Sequence, residues 1–594
     1  MSERTTARII PPWLARSLAL GLCLLPSAVL AALLWRDAVN VPYWDEWDDD
    51  IGGLFVKLKT GQLTFGDLWA QHNESRFVLS RIFFLLLGSF THWNIGYEIA
   101  TTFLLACAVA GAVFWLGRSA FAGQPVARWA FFFISSLLIF SPAQSDAWLW
   151  GMEMILYVPL VCILFSLLVL RSKAAETAKW LSCAALATVG TYSFSNGLLV
   201  WIVLFPVMFL AEGFAGFQKK IRAALCWLLV FLGNVIVYFR GYQFPPHGFW
   251  QMLWANPWPV ARYFFVFLGG PLVDRHSAHC LATATIIGLM VVILFAATCL
   301  CLFRWRKHPV LIGLAWPWLA VGGYGILSAL LATTGRSALG AEQALSPRYG
   351  IFGISVMVAL VHLVPLLAFH RPVKNDLGKS NSFMKTNFAL ATLGAVVILL
   401  HASAFPANVF NLSMFRLDML FAKANLQFLD VLPPQPAATK FLFPDYARLK
   451  KNADALNRLG ARDDDLLKTT RLADFKLNLQ SICGSVESMQ AGGGNIYISG
   501  WAMSPSHKTA ADCVLFTYES QGIEPVIFGL MDERVGRPDL AAKFHGPVHI
   551  ADGWEKIIRA QDLPQGVLTL KAWAYDVQTR QLMPLQTEMR LDNK

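Results

Sequence analysis

The chain has 594 residues, of which 56% are hydrophobic and only 15% are charged. A soluble globular domain usually has about 25% charged residues, so the composition excludes a disordered chain and a wholly soluble enzyme. The formal net charge is +11. We attribute this excess to membrane orientation, because no basic run is interleaved with aromatic residues as nucleic-acid binding would require.

Membrane-spanning helices are predicted along most of the chain. An uncharged apolar stretch from Ser17 to Trp35 follows Arg16, and we interpret it as a retained first helix rather than a cleaved signal peptide, because it exceeds the usual signal-peptide core. Further stretches of spanning length are predicted at 97–117, 129–145, 152–170, 179–194, 197–211, 222–240, 280–303, 310–333, 350–369 and 386–404. The predicted fold class is an α-helical polytopic membrane protein with about 11 transmembrane helices.

The distribution of positive charge predicts the orientation. Lys and Arg are concentrated in the loops on the same side of the membrane as the N-terminus, for example Arg171 with Lys179. Because such loops stay in the cytoplasm, the odd helix count places the C-terminus outside. We therefore expect a multi-pass protein of the bacterial inner (cytoplasmic) membrane with its active site and C-terminal domain in the periplasm. The stretch from Phe77 to Trp93 contains Arg81. Counting it as a span would move every later loop to the side of the membrane that contradicts the charge distribution, so it is predicted as a helix at the outer interface.

The composition changes near residue 405 and predicts three domains. These are a transmembrane catalytic domain at 1–404, a periplasmic linker and helical connector at 405–480, and a small periplasmic β-sandwich at 481–594. Strands are predicted at Ile496–Trp501, Val514–Tyr518, Val526–Leu530 and Val567–Tyr575. A disulfide between Cys483 and Cys513 stays open, because the sequence does not show that their Cα atoms are close enough.

The first predicted outer loop is acidic and bracketed by Trp44 and Trp47. A carboxylate at the outer membrane surface can act as a general base on a hydroxyl group, or it can hold a divalent cation. Asp45 comes first after the helix, and Glu46 and Asp48 are the next candidates. The same loop then offers His72, Glu74 and Arg76, which are suited to orienting a carboxylate or contacting a sugar, although Glu74 and Arg76 would also suit each other as an ion pair.

Two later outer loops contain further candidates. Asp146 and Glu153 are isolated acids in an apolar setting, where an acid usually has a partner or a function. Arg336 and Arg348, followed by Tyr349, are cations on the side that is otherwise poor in them. A guanidinium group fits phosphate through two-point contacts, so we expect these arginines to bind phosphate; the alternative is ordinary contact with lipid headgroups.

The chain has an acidic first outer loop (Trp44-Asp-Glu-Trp-Asp48), an interfacial helix after it, Asp146 in the second outer loop, and many predicted spans before a periplasmic domain. In these features it resembles the GT-C superfamily of integral-membrane glycosyltransferases, which includes protein O-mannosyltransferases and lipid A aminoarabinose transferases. Four phrases also look like those of a bacterial branch of such transferases: Pro42-Tyr-Trp-Asp-Glu-Trp, His72-Asn-Glu-Ser-Arg, Tyr192-Ser-Phe-Ser-Asn-Gly and Ser346-Pro-Arg-Tyr. The resemblance covers residues 1–404 in architecture. It implies a polyprenyl-phosphate-linked sugar donor and an inverting transfer to a cell-envelope glycan, lipid or protein on the periplasmic face.

The resemblance also suggests roles for the candidate residues. Asp45 is the expected base, assisted by Glu46, with Asp146 as a second acid. The expected substrate-binding residues are Asp48, His72, Glu74, Arg76, Glu153, Arg336, Arg348 and Tyr349. The choice among the carboxylates at 45, 46 and 48 and the need for a divalent cation stay open. The alternatives are a lipid-linked sugar flippase or transporter, which would need polar residues in the middle of several helices, and a glycan-binding assembly protein, for which so many spans would be excessive.

Overall fold

The computed structural model describes residues 11–49, 51–211, 213–244, 249–370, 379–462, 466–480, 482–504, 509–520 and 523–593. The chain divides into two compact units. The first comprises Met1–Arg36, Trp69–Ser80 and Ile99–Val409, and the second comprises Asp37–Leu68, Arg81–Glu98 and Phe410–Lys594. The acidic stretch around Asp45 therefore belongs to the same unit as the C-terminal strands.

The helices account for most of the chain. They are α1 (Pro12–Asp37), α2 (Gly52–Lys59), α3 (Phe65–Trp69), α4 (Val78–Thr91), α5 (Ile95–Ala120), α6 (Pro125–Ile139), α7 (Ser145–Leu149), α8 (Tyr157–Leu170), α9 (Glu176–Thr191), α10 (Leu198–Phe205), α11 (Gly213–Phe239), α12 (Phe249–Ala255), α13 (Pro257–Gly269), α14 (Cys280–Arg304), α15 (Pro309–Arg336), α16 (Gly350–Phe369), α17 (Lys379–Gln427), α18 (Tyr446–Arg458) and α19 (Pro538–Lys543).

Within the described ranges, nine helices are long and apolar enough to cross a membrane. They are Trp13–Asp37, Ile95–Ala120, Pro125–Leu149, Gly151–Leu170, Gly216–Phe239, Cys280–Arg304, Pro309–Leu339, Pro347–Phe369 and Phe388–Gln427. These confirm a polytopic helical membrane protein and match nine of the predicted stretches. The stretches predicted at 179–194 and 197–211 form shorter elements, because α9 has 16 residues and α10 gives way to a π-helical segment at Pro206–Leu210.

Two helical features depart from the sequence prediction. The helix α13 was not predicted as a separate element, although its residues Val260 and Tyr263 are buried in the first unit. The helix α17 continues past residue 405 to Gln427, with Pro406 inside it, so the linker predicted to begin there starts as helix. A change in polarity along a helix does not by itself interrupt the backbone hydrogen bonds, which explains why α17 runs through the position where the composition changes.

Close backbone packing in the first unit depends on glycine. A Cβ atom on Gly288 of α14 would lie 1.8 Å from the carbonyl oxygen of Phe265 on α13, and one on Gly197 would lie 1.8 Å from that of Gly190 at the end of α9. No side chain fits at either distance, since the obstacle in both cases is backbone. Gly197 ends the Tyr192-Ser-Phe-Ser-Asn-Gly phrase, so tight helix packing accounts for this part of the motif.

The C-terminal part of the second unit is a β-sandwich. Its strands are β1 (Lys476–Leu477), β2 (Gly484–Gly492), β3 (Asn495–Ser504), β4 (Thr509–Ala510), β5 (Cys513–Ser520), β6 (Ile523–Leu530), β7 (Glu533–Val535), β8 (Gly553–Arg559), β9 (Gly566–Asp576), β10 (Gln581–Pro584) and β11 (Met589–Asn593). One sheet has the order β1-β10-β9-β5-β6, with β11 also pairing with β9. The other has the order β2-β3-β8-β7, with β4 pairing with β3. All four predicted strands are confirmed.

The two sheets share one apolar core. Phe516 of β5 meets Trp554 of β8 edge to face, with ring centroids 5.4 Å apart, and both residues are buried. Cys483 and Cys513 are buried in this core and are not joined by a disulfide, and Cys513 Sγ donates to the carbonyl oxygen of Val514 at 3.6 Å. The disulfide left open by the sequence is therefore not formed in this structure.

Candidate functional site

The connection between α15 and α16 carries the two arginines that the sequence singled out. The helix α15 ends at Arg336, and three short 3-10 turns follow, the last of which contains Arg348 and Tyr349. Gly340 adopts a φ of 90° between the first two turns, a conformation that glycine accepts without strain. The turns fold the chain back so that both arginines meet the same tyrosine.

Arg336 is held by one acid and one hydroxyl group. Its Nη2 lies 3.1 Å from Glu74 Oε2, and its Nη1 donates to Tyr349 Oη at 2.6 Å. The guanidinium carbon lies 5.9 Å from the centre of the Tyr349 ring. The contact with Glu74 joins residues far apart in sequence, so the structure brings these two candidates together.

Arg348 approaches Tyr349 from another direction. Its guanidinium carbon lies 5.4 Å from the ring centre of Tyr349 and 5.7 Å from that of Trp150. Its Nη1 is 3.4 Å from Glu153 Oε1, a longer contact than the one between Arg336 and Glu74. The planar guanidinium group of Arg348 therefore contacts two aromatic rings, while its contact with the Glu153 carboxylate is long for a hydrogen bond.

Tyr349 is the centre of a hydrogen-bond network. Its hydroxyl oxygen accepts from Arg336 and also from Gln343 Nε2 at 2.8 Å, while Tyr263 of α13 donates to Gln343 Oε1. The ring is 8% exposed and stacks on Phe267 with centroids 5.0 Å apart. Because the hydroxyl group accepts two hydrogen bonds, its own proton is left to donate to a third group.

A third arginine lies near Asp146. Arg275 Nη2 donates to the carbonyl oxygen of Ala143 at 2.6 Å, while its Nε is buried without a hydrogen-bond partner among the described residues. Burial lowers the pKa of Arg275 to about 10, an effect that the negative charge of Asp146 opposes. Both Arg275 and Arg348 lie within electrostatic reach of Asp146.

We call this set the arginine cluster, and it consists of Glu74, Asp146, Glu153, Arg275, Arg336, Arg348 and Tyr349. Six of its members were predicted from sequence as site residues. Three cations face three acids, so the cluster has no formal excess charge. An incoming phosphate group would therefore compete with a carboxylate for an arginine, and the long contact between Glu153 and Arg348 is the easiest to exchange.

Sequence reasoning missed Arg275, Gln343 and Tyr263. Arg275 carried a usable signal, since it is also a cation in a predicted outer loop. Gln343 and Tyr263 carried none, because their roles depend on the turns and on α13, which were not predicted.

His72 and Arg76 contribute to the scaffold of the first unit. Arg76 is buried, and its guanidinium nitrogens donate to the carbonyl oxygens of Tyr238, Trp69 and Arg240 at 2.7 to 2.9 Å. His72 is also buried and contacts the Phe77 ring edge to face. This geometry favours a structural role for both, because Arg76 positions the segment that carries Glu74. Their binding of substrate stays a prediction.

The acidic stretch lies in the second unit and forms a short 3-10 helix, Trp44–Trp47. Glu46 is buried, and its Oε2 accepts from the backbone N–H of Tyr43 at 2.7 Å, so it stabilises the turn. Asp48 lies 2.6 Å from Arg448 Nη1. Asp45, which precedes both in the sequence, is half-buried. The structure thus gives Glu46 and Asp48 structural partners, while the predicted catalytic role of Asp45 stays a prediction.

Among the residues that the structure describes, no group of three or more His, Cys, Asp or Glu side chains is arranged to hold a metal ion. No protein-family model, curated protein or solved structure matches this chain. The functional argument therefore rests on the residues of the chain itself.

Proposed function

We propose that this chain is a membrane glycosyltransferase that uses a polyprenyl-phosphate-linked sugar donor. In this proposal it works in the bacterial inner membrane and transfers the sugar with inversion to a cell-envelope glycan, lipid or protein on the periplasmic face. The observation that supports it best is the convergence of Arg336 and Arg348 on Tyr349 in a polytopic helical unit. Two guanidinium groups and a hydroxyl proton form a suitable set of donors for one phosphate group.

The arginine cluster would act on the leaving group. When the bond between the anomeric carbon and the phosphate oxygen breaks, negative charge develops on the polyprenyl phosphate. Positioned cations stabilise that charge more strongly in the transition state than in the ground state. Because Arg336 is already fixed by Glu74 and Tyr349, little reorganisation is needed when the donor binds.

A carboxylate would activate the acceptor. From the sequence we assign this role to Asp45, with Asp146 as the second acid. In the proposed step, a carboxylate takes the proton of an acceptor hydroxyl group, the hydroxyl oxygen bonds to the anomeric carbon with inversion, and polyprenyl phosphate leaves. The products are the glycosylated acceptor, the protonated carboxyl group and the free lipid phosphate, so no oxidant or further reactant is required.

The test compares two neighbouring acids. Asp45→Asn removes the proposed base, whereas Asp49→Asn changes an exposed aspartate of the same acidic stretch and is the matched control. General-base catalysis contributes about 100-fold or more to a rate. Membranes of cells with the Asp45→Asn chain should therefore accumulate polyprenyl-phosphate sugar and lose the glycosylated envelope product, as measured by mass spectrometry of lipid and envelope extracts.

The control should behave like the unchanged chain. Equal product from the Asp45→Asn and Asp49→Asn chains would remove Asp45 from the catalytic role. Movement of the lipid-linked sugar across vesicles containing the purified chain, with no covalent product, would overturn the transferase proposal in favour of a flippase.

A further inference from the structure

A second polar site lies in the first unit near the other end of α15. Trp316 lies about 20 residues before Arg336 on this helix, which corresponds to about 30 Å along the axis. Around Trp316 is a cavity of about 650 Å³, lined by the ends of α8 and α9, the π-helical segment, α11 and α15. A distance of about 30 Å equals the thickness of the hydrocarbon core of a bilayer, so this cavity and the arginine cluster lie about one bilayer core apart.

The cavity contains more positive than negative charge. Among the residues that the structure describes, Arg171, Lys179, Lys220 and the acid Glu176 line it. Lys179 Nζ lies 2.8 Å from Glu176 Oε1, and the lysine side chain is 14% exposed while that of the glutamate is 78% exposed. The acid therefore reaches out toward solvent, and the described lining contains two more basic than acidic side chains.

Two indole groups add hydrogen-bond donors. The Nε1 atoms of Trp180 and Trp316 are buried, and neither has a hydrogen-bond partner among the described residues. Both tryptophans line the cavity. A buried donor without an acceptor is costly, and an acceptor supplied by a ligand would remove that cost.

The rest of the lining is apolar and comes from membrane-spanning segments. Leu167, Val207, Met208 and Phe209 form much of the wall. Arg171 directly follows the candidate span Gly151–Leu170, and Lys220 lies in the second turn of the candidate span Gly216–Phe239. The cations are thus placed at the ends of spans, which is the depth of lipid headgroups, and the apolar wall continues toward the hydrocarbon.

We propose that this cavity, which we call the basic pocket, binds the phosphate headgroup of an anionic phospholipid. The lysines and Arg171 bind the phosphate group, the two indoles donate to its oxygens or to the ester carbonyls, and the apolar wall contacts the acyl chains. A free phosphate ion would use only the polar half of the lining, so the observations favour the lipid. The proposal is independent of the proposed glycosyl transfer.

The test measures lipid retained by the purified full chain. The chain in detergent micelles is titrated with dioleoylphosphatidylglycerol, dioleoylphosphatidylcholine or inorganic phosphate, and native mass spectrometry counts the adducts. The variant Lys179→Gln/Lys220→Gln removes two cations of the basic pocket. Its control, Arg304→Gln/Arg306→Gln, removes two cations of a predicted cytoplasmic loop that do not line the pocket.

The unchanged chain and the control should retain phosphatidylglycerol in preference to phosphatidylcholine. The lysine variant should bind phosphatidylglycerol about 30-fold more weakly, since each cation near an anionic lipid contributes about 1 kcal/mol. Equal retention of both lipids, an unaffected lysine variant, or adducts of inorganic phosphate that displace the lipid would each overturn the proposal. If gel filtration shows that the lysine variant does not fold, Trp316→Phe replaces it, with an expected loss of about 5-fold for one hydrogen bond.

Discussion

Replacing Arg336 should show whether the arginine cluster is prearranged. Arg336→Gln removes a guanidinium group that donates to Tyr349 Oη at 2.6 Å and lies 3.1 Å from Glu74. If these contacts hold the cluster together before any ligand binds, removing them must lower the free energy of unfolding of the ligand-free protein. Tyr349→Phe and Glu74→Gln, alone and combined with Arg336→Gln, separate the two contacts in double-mutant cycles.

The expected magnitudes differ between the two contacts. Interhelical hydrogen bonds in membrane proteins average about 0.6 kcal/mol and reach about 1.7 kcal/mol in such cycles. The bond to Tyr349 is short, charge-assisted and mostly buried, so we expect a coupling free energy of about 1 to 1.5 kcal/mol. The Arg336 and Glu74 side chains are 28% and 34% exposed, so solvent screening should reduce their coupling to about 0.5 kcal/mol.

The assay is unfolding of the purified chain in mixed micelles titrated with sodium dodecyl sulfate, followed by circular dichroism. Arg118→Gln is the matched control, because this exposed arginine contacts only the Trp115 ring in the structure as described here, with its guanidinium carbon 5.4 Å from the ring centre. The control should change the unfolding free energy by less than about 0.5 kcal/mol. A coupling between Arg336 and Tyr349 below about 0.3 kcal/mol, within the error of additivity, would refute the argument that the cluster is prearranged.

Two further predictions concern packing and pH. Gly288→Ala should destabilise the chain by about 3 kcal/mol or more in the same titration, because its Cβ atom would overlap the Phe265 carbonyl oxygen. Gly111→Ala, whose Cβ would meet nothing within 4 Å, should be neutral or slightly stabilising; equal effects would contradict the close packing of α13 and α14. Burial raises the pKa of Asp552 to about 6, so the folded chain binds this proton at a higher pH than the unfolded chain. Stability should therefore fall by up to about 3 kcal/mol as pH rises from about 4 to about 6. Asp552→Asn should flatten that part of the Tm–pH curve, and an unchanged slope would show that another group is responsible.

Local signals were sufficient for the elements that the sequence predicted well. The apolar stretch at 280–303 and the alternating strand at Ile496–Trp501 are confirmed as α14 and β3. A bilayer span requires a continuous apolar stretch of about 20 residues, and a strand with one buried face alternates apolar and polar residues, so short windows reveal both. The same reasoning failed at α13, where a short amphipathic helix with Arg262 lacks the length of a span. It also placed the end of α17 too early, since polarity and helix continuity are separate properties.

The sequence also supplied part of the candidate site. Unusual charges in apolar or outward-facing segments identified Glu74, Asp146, Glu153, Arg336 and Arg348, because an ion near a membrane is costly unless it has a partner or a function.

Composition and hydropathy along the chain were enough to predict a helical membrane protein with a β-rich C-terminal part and to select the unusual charges. The partners of those charges become visible only in three dimensions, since Glu74 and Arg336 meet although they are 262 positions apart. Such contacts depend on how helices pack and on where glycine lets backbones approach. No local window encodes that information, because the free energy of each contact is gained only when distant segments come together.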